Sequence, residues 1–193
     1  MPALRAICRT PTPGCRYNYL MPDYRRYYLS SFPVFITCVT HNRQPIFNAR
    51  DNLGIFWKSI EMVNDNHPFD LIAYVILPDH FHWLIKMPEN NPNFSKVMLS
   101  FKWNFTLNYK KLHKIPTSLK LWQRGYWDHV IRNDKDLQTH LDYIHWNPLK
   151  HGFADDPEKW LSSSFKDWKT KGVYDEGWGS GREPDSITNL DFE

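Results

Sequence analysis

Apolar and polar positions between residues 33 and 153 follow two rhythms, and each change of rhythm marks an element. "PVFITCVT" (33–40) is β-branched and aromatic and predicts a strand. "ARDNLGIFWKSIEMVNDNH" (49–67) spaces Leu53, Phe56, Ile60 and Val63 at three and four residues, the stripe of an amphipathic helix. "FDLIAYVILP" (69–78) reads as a second strand, and Pro78-Asp79 is a tight link into "LPDHFHWLIKMP" (77–88), so the two predict a hairpin. "NFSKVMLSFKWNFTLNYKKLHK" (93–114) predicts a long helix with Phe94, Val97, Phe101, Phe105, Tyr109 and Leu112 as its core stripe. "LWQRGYWDHVIRN" (121–133) reads as a final strand. "DKDLQTHLDYIHW" (134–146) reads as a helix opened by acidic residues and halted at Pro148. The order βαββαβα implies an α+β sandwich, an antiparallel sheet with helices on one face.

The histidine strand changes the picture. Successive strand side chains alternate between faces, so His80 and His82 project together while Phe81 and Trp83 point the other way. Two imidazoles side by side either sit on a wet surface or hold something, and an H-x-H needs a confirming partner.

The last predicted helix offers one. Leu137, Leu141 and Ile144 form its apolar stripe; Asp136, His140, Tyr143 and Asn147 form a second stripe beside it. Tyr143 and Asn147, four apart, project one above the other. They are either a half-buried tyrosine beside a terminal asparagine or a nucleophile one turn from a metal ligand.

Charge adds a partner class. Residues 1–133 carry 17 Lys and Arg against 8 Asp and Glu, while residues 134–193 carry 7 against 13. A basic body suits a polyanion, and the acidic end solvates or shields that surface. Aromatics interleave with basic residues in "YRRYYL" (24–29) and "SFKWNFTLNYKK" (100–111), a composition suited to stacking bases while pairing phosphates. Cys8, Cys15 and Cys38 are odd in number and lack zinc-type spacing, which fits a reducing cytoplasm. No apolar run has the length of a membrane span. Residues 1–20 are expected to be a disordered extension, with Met21 an alternative start to Met1, and 169–193 an acidic flexible tail.

"HFH", the Lys-rich helix and "LWQRGYWDHVIRNDKDLQTHLDYIHWNPLKHGF" (121–153), in that order, closely resemble the REP-associated tyrosine transposases, relatives of the single-tyrosine HUH transposases of insertion sequences. "MPDYRRYYL" (21–29) is similar to that family's N-terminus and "KWLSSSF" (159–165) to its closing segment, so the resemblance spans about residues 21–168. It implies a ferredoxin-like or RRM-like palm. It implies that His80 and His82 are the metal-binding pair, that Tyr143 is the nucleophile and that Asn147 is the third ligand, a position held by glutamine in many insertion-sequence relatives. The implied substrate is single-stranded DNA with imperfect palindromic hairpins, and the implied cofactor is Mg²⁺ or Mn²⁺, with no small-molecule cofactor.

Those residue types suit the chemistry. A phosphodiester under attack gathers charge on its non-bridging oxygens, and a divalent cation beside them lowers the barrier. Attack by Tyr143 would leave a 5′-phosphotyrosine and a free 3′-hydroxyl, a reversible exchange that needs no ATP. His140, one turn before Tyr143, is a candidate proton acceptor. Lys96, Lys102, Lys110 and Lys111 are expected to contact phosphates, and Arg124 and Arg132 to line the same groove. Arg25 and Arg26 are placed to read base edges and Tyr24, Tyr27 and Tyr28 to stack, the alternative being an edge strand with solvated arginines. The expected molecule is a cytoplasmic, nucleoid-associated monomer. Two rival readings remain: a metal-dependent nuclease that uses water, and a non-catalytic binder of structured nucleic acid.

Overall fold

A computed structural model describes residues 32–179, 181–188 and 190–192. The segment 24–28, both cysteines of the N-terminal extension and that extension itself lie outside the described residues.

The elements follow the predicted order: β1 (Val34–Val39), α1 (Arg50–Asn66), β2 (Asp70–Ile76), β3 (His80–Lys86), α2 (Phe94–Leu112), β4 (Trp127–Val130) and α3 (Asp134–Lys150), followed by a short α4 (Phe165–Thr170). The strands form one antiparallel sheet in the order β2-β3-β1-β4. β2 and β3 are joined as a hairpin, the Leu77 amide donating to the His80 carbonyl across Pro78-Asp79 at 2.9 Å. No helix among the described residues is long and apolar enough to cross a membrane.

Alternation decides which side chains meet which helix. Ile36, Cys38, Phe81, Trp83 and Ile85 face α1 and α2. There Phe56 sits edge-on to Phe101, Phe81 and Trp83 at centroid distances of 5.0, 5.1 and 5.6 Å. Burial also pushes the Cys38 thiol up to about 12, so it stays protonated and inert.

The other face corrects the expectation that the helices share one side. Phe35, Val75 and Leu84 alternate onto it beside His80 and His82, leaving apolar surface that needs cover, and α3 supplies it through Leu141, Tyr143 and Ile144. Other boundaries differ too. The predicted strand 121–133 is a strand only over Trp127–Val130. Residues before it instead tuck under α2, where Trp122 Nε1 donates to Thr106 Oγ1 at 3.0 Å and Lys102 Nζ donates to the carbonyl of Gly125 at 2.7 Å. Gly125, at φ +78°, makes the turn that starts the strand. α2 keeps its predicted stripe through Tyr109, but Leu112 is exposed.

α3 runs through Pro148 to Lys150 rather than stopping short of it. A proline there removes one backbone donor. The helix is still closed at its end, where the His151 amide donates to the Asn147 carbonyl and the Gly152 amide to the Leu149 carbonyl. Its start matches the acidic signal: Asn133 Oδ1 accepts from the Asp136 amide at 2.9 Å, and Asp134 and Asp136 lie at the positive end of the helix dipole.

The segment 169–193, expected to be a flexible tail, carries buried side chains among its described residues, with Tyr174 and Ile187 both in the interior. Tyr174 helps pin α3 in place. His145 lies between Tyr174 Oη at 2.8 Å and Ser164 Oγ at 2.9 Å, and Ser164 also bonds the backbone of Tyr74. Burial pulls the His145 pKa from 6.5 down to about 3, so the imidazole stays neutral in the fold.

That shift has a sign. Above pH 6.5 the ring is neutral folded or unfolded; below it the unfolded chain gains a proton that the fold refuses until about pH 3, so stability falls on acidification. Burial lowers the pKa of His140 in the same direction, and burial raises that of Asp142, which acts the opposite way. Urea denaturation at pH 7 and pH 5 should show His145 alone contributing about 2 kcal/mol of the loss. His145→Gln, though less stable at pH 7, should flatten the dependence by that amount.

Candidate active site

β3 delivers the two imidazoles side by side. His80 and His82 are fully buried, with centroids 5.0 Å apart and planes at 81°. Each ring is fixed through Nδ1. His80 Nδ1 donates to Asp79 Oδ1 at 2.6 Å, and His82 Nδ1 pairs with Thr37 Oγ1 at 2.9 Å, its register partner on β1. Burial pushes the Asp79 carboxyl up, but bonds and charges from His80 and Arg43 together outweigh it and hold the group below the usual value. An ionised Asp79 on Nδ1 fixes the His80 tautomer in which Nε2 carries the lone pair.

α3 brings the phenol to this pair. Tyr143 is only 1 % exposed, and its ring lies 5.3 Å from that of His82 at 77°, over Phe35. Two turns later His151 rests its ring 5.2 Å from that of His80. Asn147 lies midway between these contacts, four residues from each, and therefore on the face of α3 that looks at the histidines. It is fully buried, and neither atom of its carboxamide has a hydrogen-bond partner among the described residues. An unsatisfied buried amide is costly, and a cation on Oδ1 would relieve the oxygen's share of that cost. The tyrosine and asparagine stay in helical register because α3 continues through Pro148.

Sequence reasoning missed Lys150. Its ammonium donates to Tyr143 Oη at 3.0 Å and to Asp191 Oδ1 at 3.1 Å. The signal was its position seven residues after Tyr143, two turns along the same face. The amide of Phe192 also donates to Tyr143 Oη, at 3.2 Å.

His140 is part of a second cluster. Its Nδ1 bonds the Asp136 carbonyl at 2.8 Å, and its ring stacks 4.7 Å from His129, whose Nε2 meets Asp136 Oδ2 at 2.9 Å. Ligand atoms of His129, Asp136 and His140 lie within 4.8 Å of one another, a grouping able to hold a metal. Burial raises the Asp136 pKa, but the His129 hydrogen bond, the Arg132 amide and the nearby imidazoles more than offset it, so the carboxyl is held below its ordinary value.

The expected DNA contacts scatter. Lys96 and Lys111 are exposed on α2 and Lys110 is half-buried there, whereas Lys102 caps the loop before β4. Arg124 and Arg132 are exposed on the loops flanking β4 rather than on a strand. Between the lysines, α2 exposes Leu99, Trp103 and Leu107 one turn apart. Of the competing tyrosines, Tyr126 bonds Ser95 at 2.7 Å and Tyr109 stacks on Phe105.

The family described as "Transposase IS200 like" matches residues 29–147. The chain is 35% identical over 167 residues to a Haemophilus influenzae protein assigned as a REP-associated tyrosine transposase, covering 82% of this chain and 94% of that one. It is 33% identical over 158 residues to the REP-associated tyrosine transposase of Escherichia coli, covering 82% and 91%. A solved structure of a REP-associated tyrosine transposase bound to a REP hairpin superposes with a TM-score of 0.72 at 31% identity, covering 86% of this chain and 94% of that one. The chain therefore belongs to the IS200-like transposase family, in its REP-associated tyrosine branch of DNA nicking and joining enzymes.

Proposed function

We propose that this protein is a metal-dependent endonuclease and strand transferase for single-stranded DNA bearing REP-type palindromic hairpins, working through a 5′-phosphotyrosine on Tyr143. The observation that carries the reading is the convergence of Tyr143 and His151 of α3 on the His82 and His80 rings, with Asn147 buried between them. The two relatives and the hairpin-bound structure supply the substrate class.

His80, His82 and Asn147 would hold the cation, and Mg²⁺ or Mn²⁺ there would draw charge from the non-bridging phosphate oxygens. The remaining steps belong to the chain. Phe35 and His82 fix the Tyr143 ring. The Lys150 ammonium on Oη stabilises the phenolate, since a phenol with pKa near ~10 is a weak nucleophile at neutral pH. Lys150, rather than His140, thus takes the part of tuning the phenol; His140 positions Asp136 and the start of α3. Oη attacks phosphorus, the P–O3′ bond breaks, and the phenolic proton is accounted for on the new 3′-hydroxyl. Return attack by a 3′-hydroxyl restores Tyr143 and joins strands.

Each chain builds its own site. Arg132 and Ile131 are tied to Asp136 and Pro33, leaving no length of chain between β4 and α3 to send the helix elsewhere. This supports a monomer; the proposed place of action is the bacterial nucleoid. Residues 21–168 form the functional unit, with exposed Lys96, Lys111, Arg124 and Arg132, half-buried Lys110 and the segment 24–28 as its DNA contacts.

The test is incubation of a 5′-labelled and a 3′-labelled hairpin oligonucleotide with Mg²⁺, Mn²⁺ or EDTA. The reading predicts a metal-dependent covalent adduct carrying the 3′-labelled fragment, and a free fragment ending in 3′-hydroxyl. Cleavage without an adduct would favour a water-using nuclease, and binding without cleavage a non-catalytic binder. Lys150→Met should lower the cleavage rate by about 10²-fold and move its rise to higher pH, as expected when a charge on the nucleophile's oxygen is lost.

A further inference from the structure

Among the described residues, three other than glycine hold a left-handed φ, and two of them are consecutive: Asn42 at +54° and Arg43 at +49°. Side chains adopt that conformation rarely and at a cost, so two in a row persist only where the surroundings impose them. Here the surroundings do. Just past the end of β1, the Thr40 amide donates to the Asp79 carbonyl and the His41 amide to the Leu121 carbonyl, both at 2.9 Å. Thr40 Oγ1 donates to the Gln44 carbonyl at 2.9 Å and closes the turn, and the Phe47 amide donates to the Pro78 carbonyl at 2.9 Å. The strained turn is therefore stitched to Pro78-Asp79, the link that leads into His80. What it delivers there is a guanidinium. Arg43 Nη1 donates to Asp79 Oδ2 at 3.2 Å, while Asp79 Oδ1 accepts from His80 Nδ1 at 2.6 Å. The two oxygens of one carboxylate are divided between an arginine and an imidazole.

We propose that Arg43 is a positioning residue for the metal centre: the turn from Thr40 to Gln44 holds its guanidinium on Asp79 Oδ2, which fixes the carboxylate plane and, through Oδ1, the ring of His80. His80 as a metal ligand is taken from the proposed function, on which this inference rests. Stability alone does not account for the strain, because the Arg43 side chain is 45% exposed and such a pair adds little to the fold. Orientation does account for it. A carboxylate bonded at one oxygen only can turn about its Cβ–Cγ bond, whereas one held at both keeps Oδ1 on Nδ1 and so keeps Nε2 aimed. The same arrangement serves the second imidazole, where Thr37 of β1 pairs with His82 Nδ1. Strand β1 and the turn that ends it thus brace both rings from behind.

The test uses the full chain and Mn²⁺, with binding read from the electron paramagnetic resonance of the free ion in the absence of DNA. Arg43→Met keeps the aliphatic stem and should weaken Mn²⁺ binding about tenfold, the lower end of the range for a partner that orients a ligand. The Mn²⁺ needed for half-maximal hairpin cleavage should rise by the same factor, and the rate at saturating Mn²⁺ should fall far less. Arg43→Lys should recover part of the affinity, since an ammonium can still bond Oδ2. Asn42→Gly, which accepts the left-handed backbone, should bind Mn²⁺ as the wild type does. Asn42→Val, which resists it, should match Arg43→Met, and the double variant should lose no more than either alone. Hairpin affinity in EDTA should stay the same throughout. Equal Mn²⁺ affinity in wild type and Arg43→Met overturns the proposal, as does a loss of hairpin affinity with Mn²⁺ binding intact, which would make Arg43 a phosphate contact. Wild-type protein that binds no Mn²⁺ overturns the metal-dependent reading and this inference with it. Weakened Mn²⁺ binding in Arg43→Met, with no covalent adduct formed by the wild type, upholds the positioning role and removes the phosphotyrosine reading instead.

Discussion

Replacing Tyr143 with phenylalanine should abolish the protein–DNA adduct and lower strand cleavage by at least ~10⁴-fold, the scale seen when a covalent nucleophile is deleted. The substitution removes one oxygen. The ring contacts to Phe35, His82 and Phe192 remain, so the loss of stability should be about 1–3 kcal/mol, the scale of the two hydrogen bonds that Oη accepts from Lys150 and the Phe192 amide. Hairpin affinity should be unchanged, because the oxygen removed is bonded within the chain, to Lys150 and the Phe192 amide. A melting curve and an anisotropy titration separate these effects from catalysis. Tyr126 and Tyr109 serve as internal controls, since the first bonds Ser95 away from the histidines and the second stacks in the α2 core.

Removing either imidazole is the second large effect. His80→Ala and His82→Ala should each lower metal-supported cleavage by about 10³-fold or more, equivalent to roughly 4 kcal/mol of transition-state stabilisation. Both side chains are fully buried, so truncation also leaves a cavity, and stability must be measured alongside. His80→Asn and His82→Asn lessen that cavity while still losing the imidazole. Raising Mn²⁺ should recover part of the rate in these variants if the defect is metal affinity. Asp79→Ala should weaken metal response more mildly, by 10- to 100-fold on the ~1–3 kcal/mol scale of an orienting partner, because it orients His80 without binding the ion itself. Asn147→Asp should keep activity and tighten metal binding, whereas Asn147→Leu should behave like the histidine variants.

Much of this site was legible because it sits on regular elements. Alternation alone put His80 and His82 on one face of β3, and helical spacing put Tyr143 under Asn147. The places where reading failed have physical reasons. "LWQRGY" looks like strand because it is apolar and aromatic, but Trp122 spends its surface under α2 and Gly125 turns the chain, so pairing begins only at Trp127. Pro148 looks like a stop, yet it costs one donor in the last turn, and the carbonyls behind it are capped by His151 and Gly152. The placement of α3 on the second sheet face depends on Phe35, Val75 and Leu84 needing cover, which strand order rather than local pattern decides. The C-terminal segment read as solvated because its charge is acidic and its apolar residues lack any period. Tyr174, Ile187 and Phe192 find partners one at a time, and nothing local in the sequence marks where they land.

The wild-type protein, incubated with Mg²⁺ and a hairpin oligonucleotide, digested with protease and nuclease and sequenced by tandem mass spectrometry, gives the most direct test of the phenol beside the paired imidazoles as the strand-breaking centre. The account predicts one nucleotide-bearing peptide, its phosphate esterified to Tyr143, and none when EDTA is present. A phosphate mapped to another residue, or strands cut at full rate with every tyrosine unmodified, would contradict it.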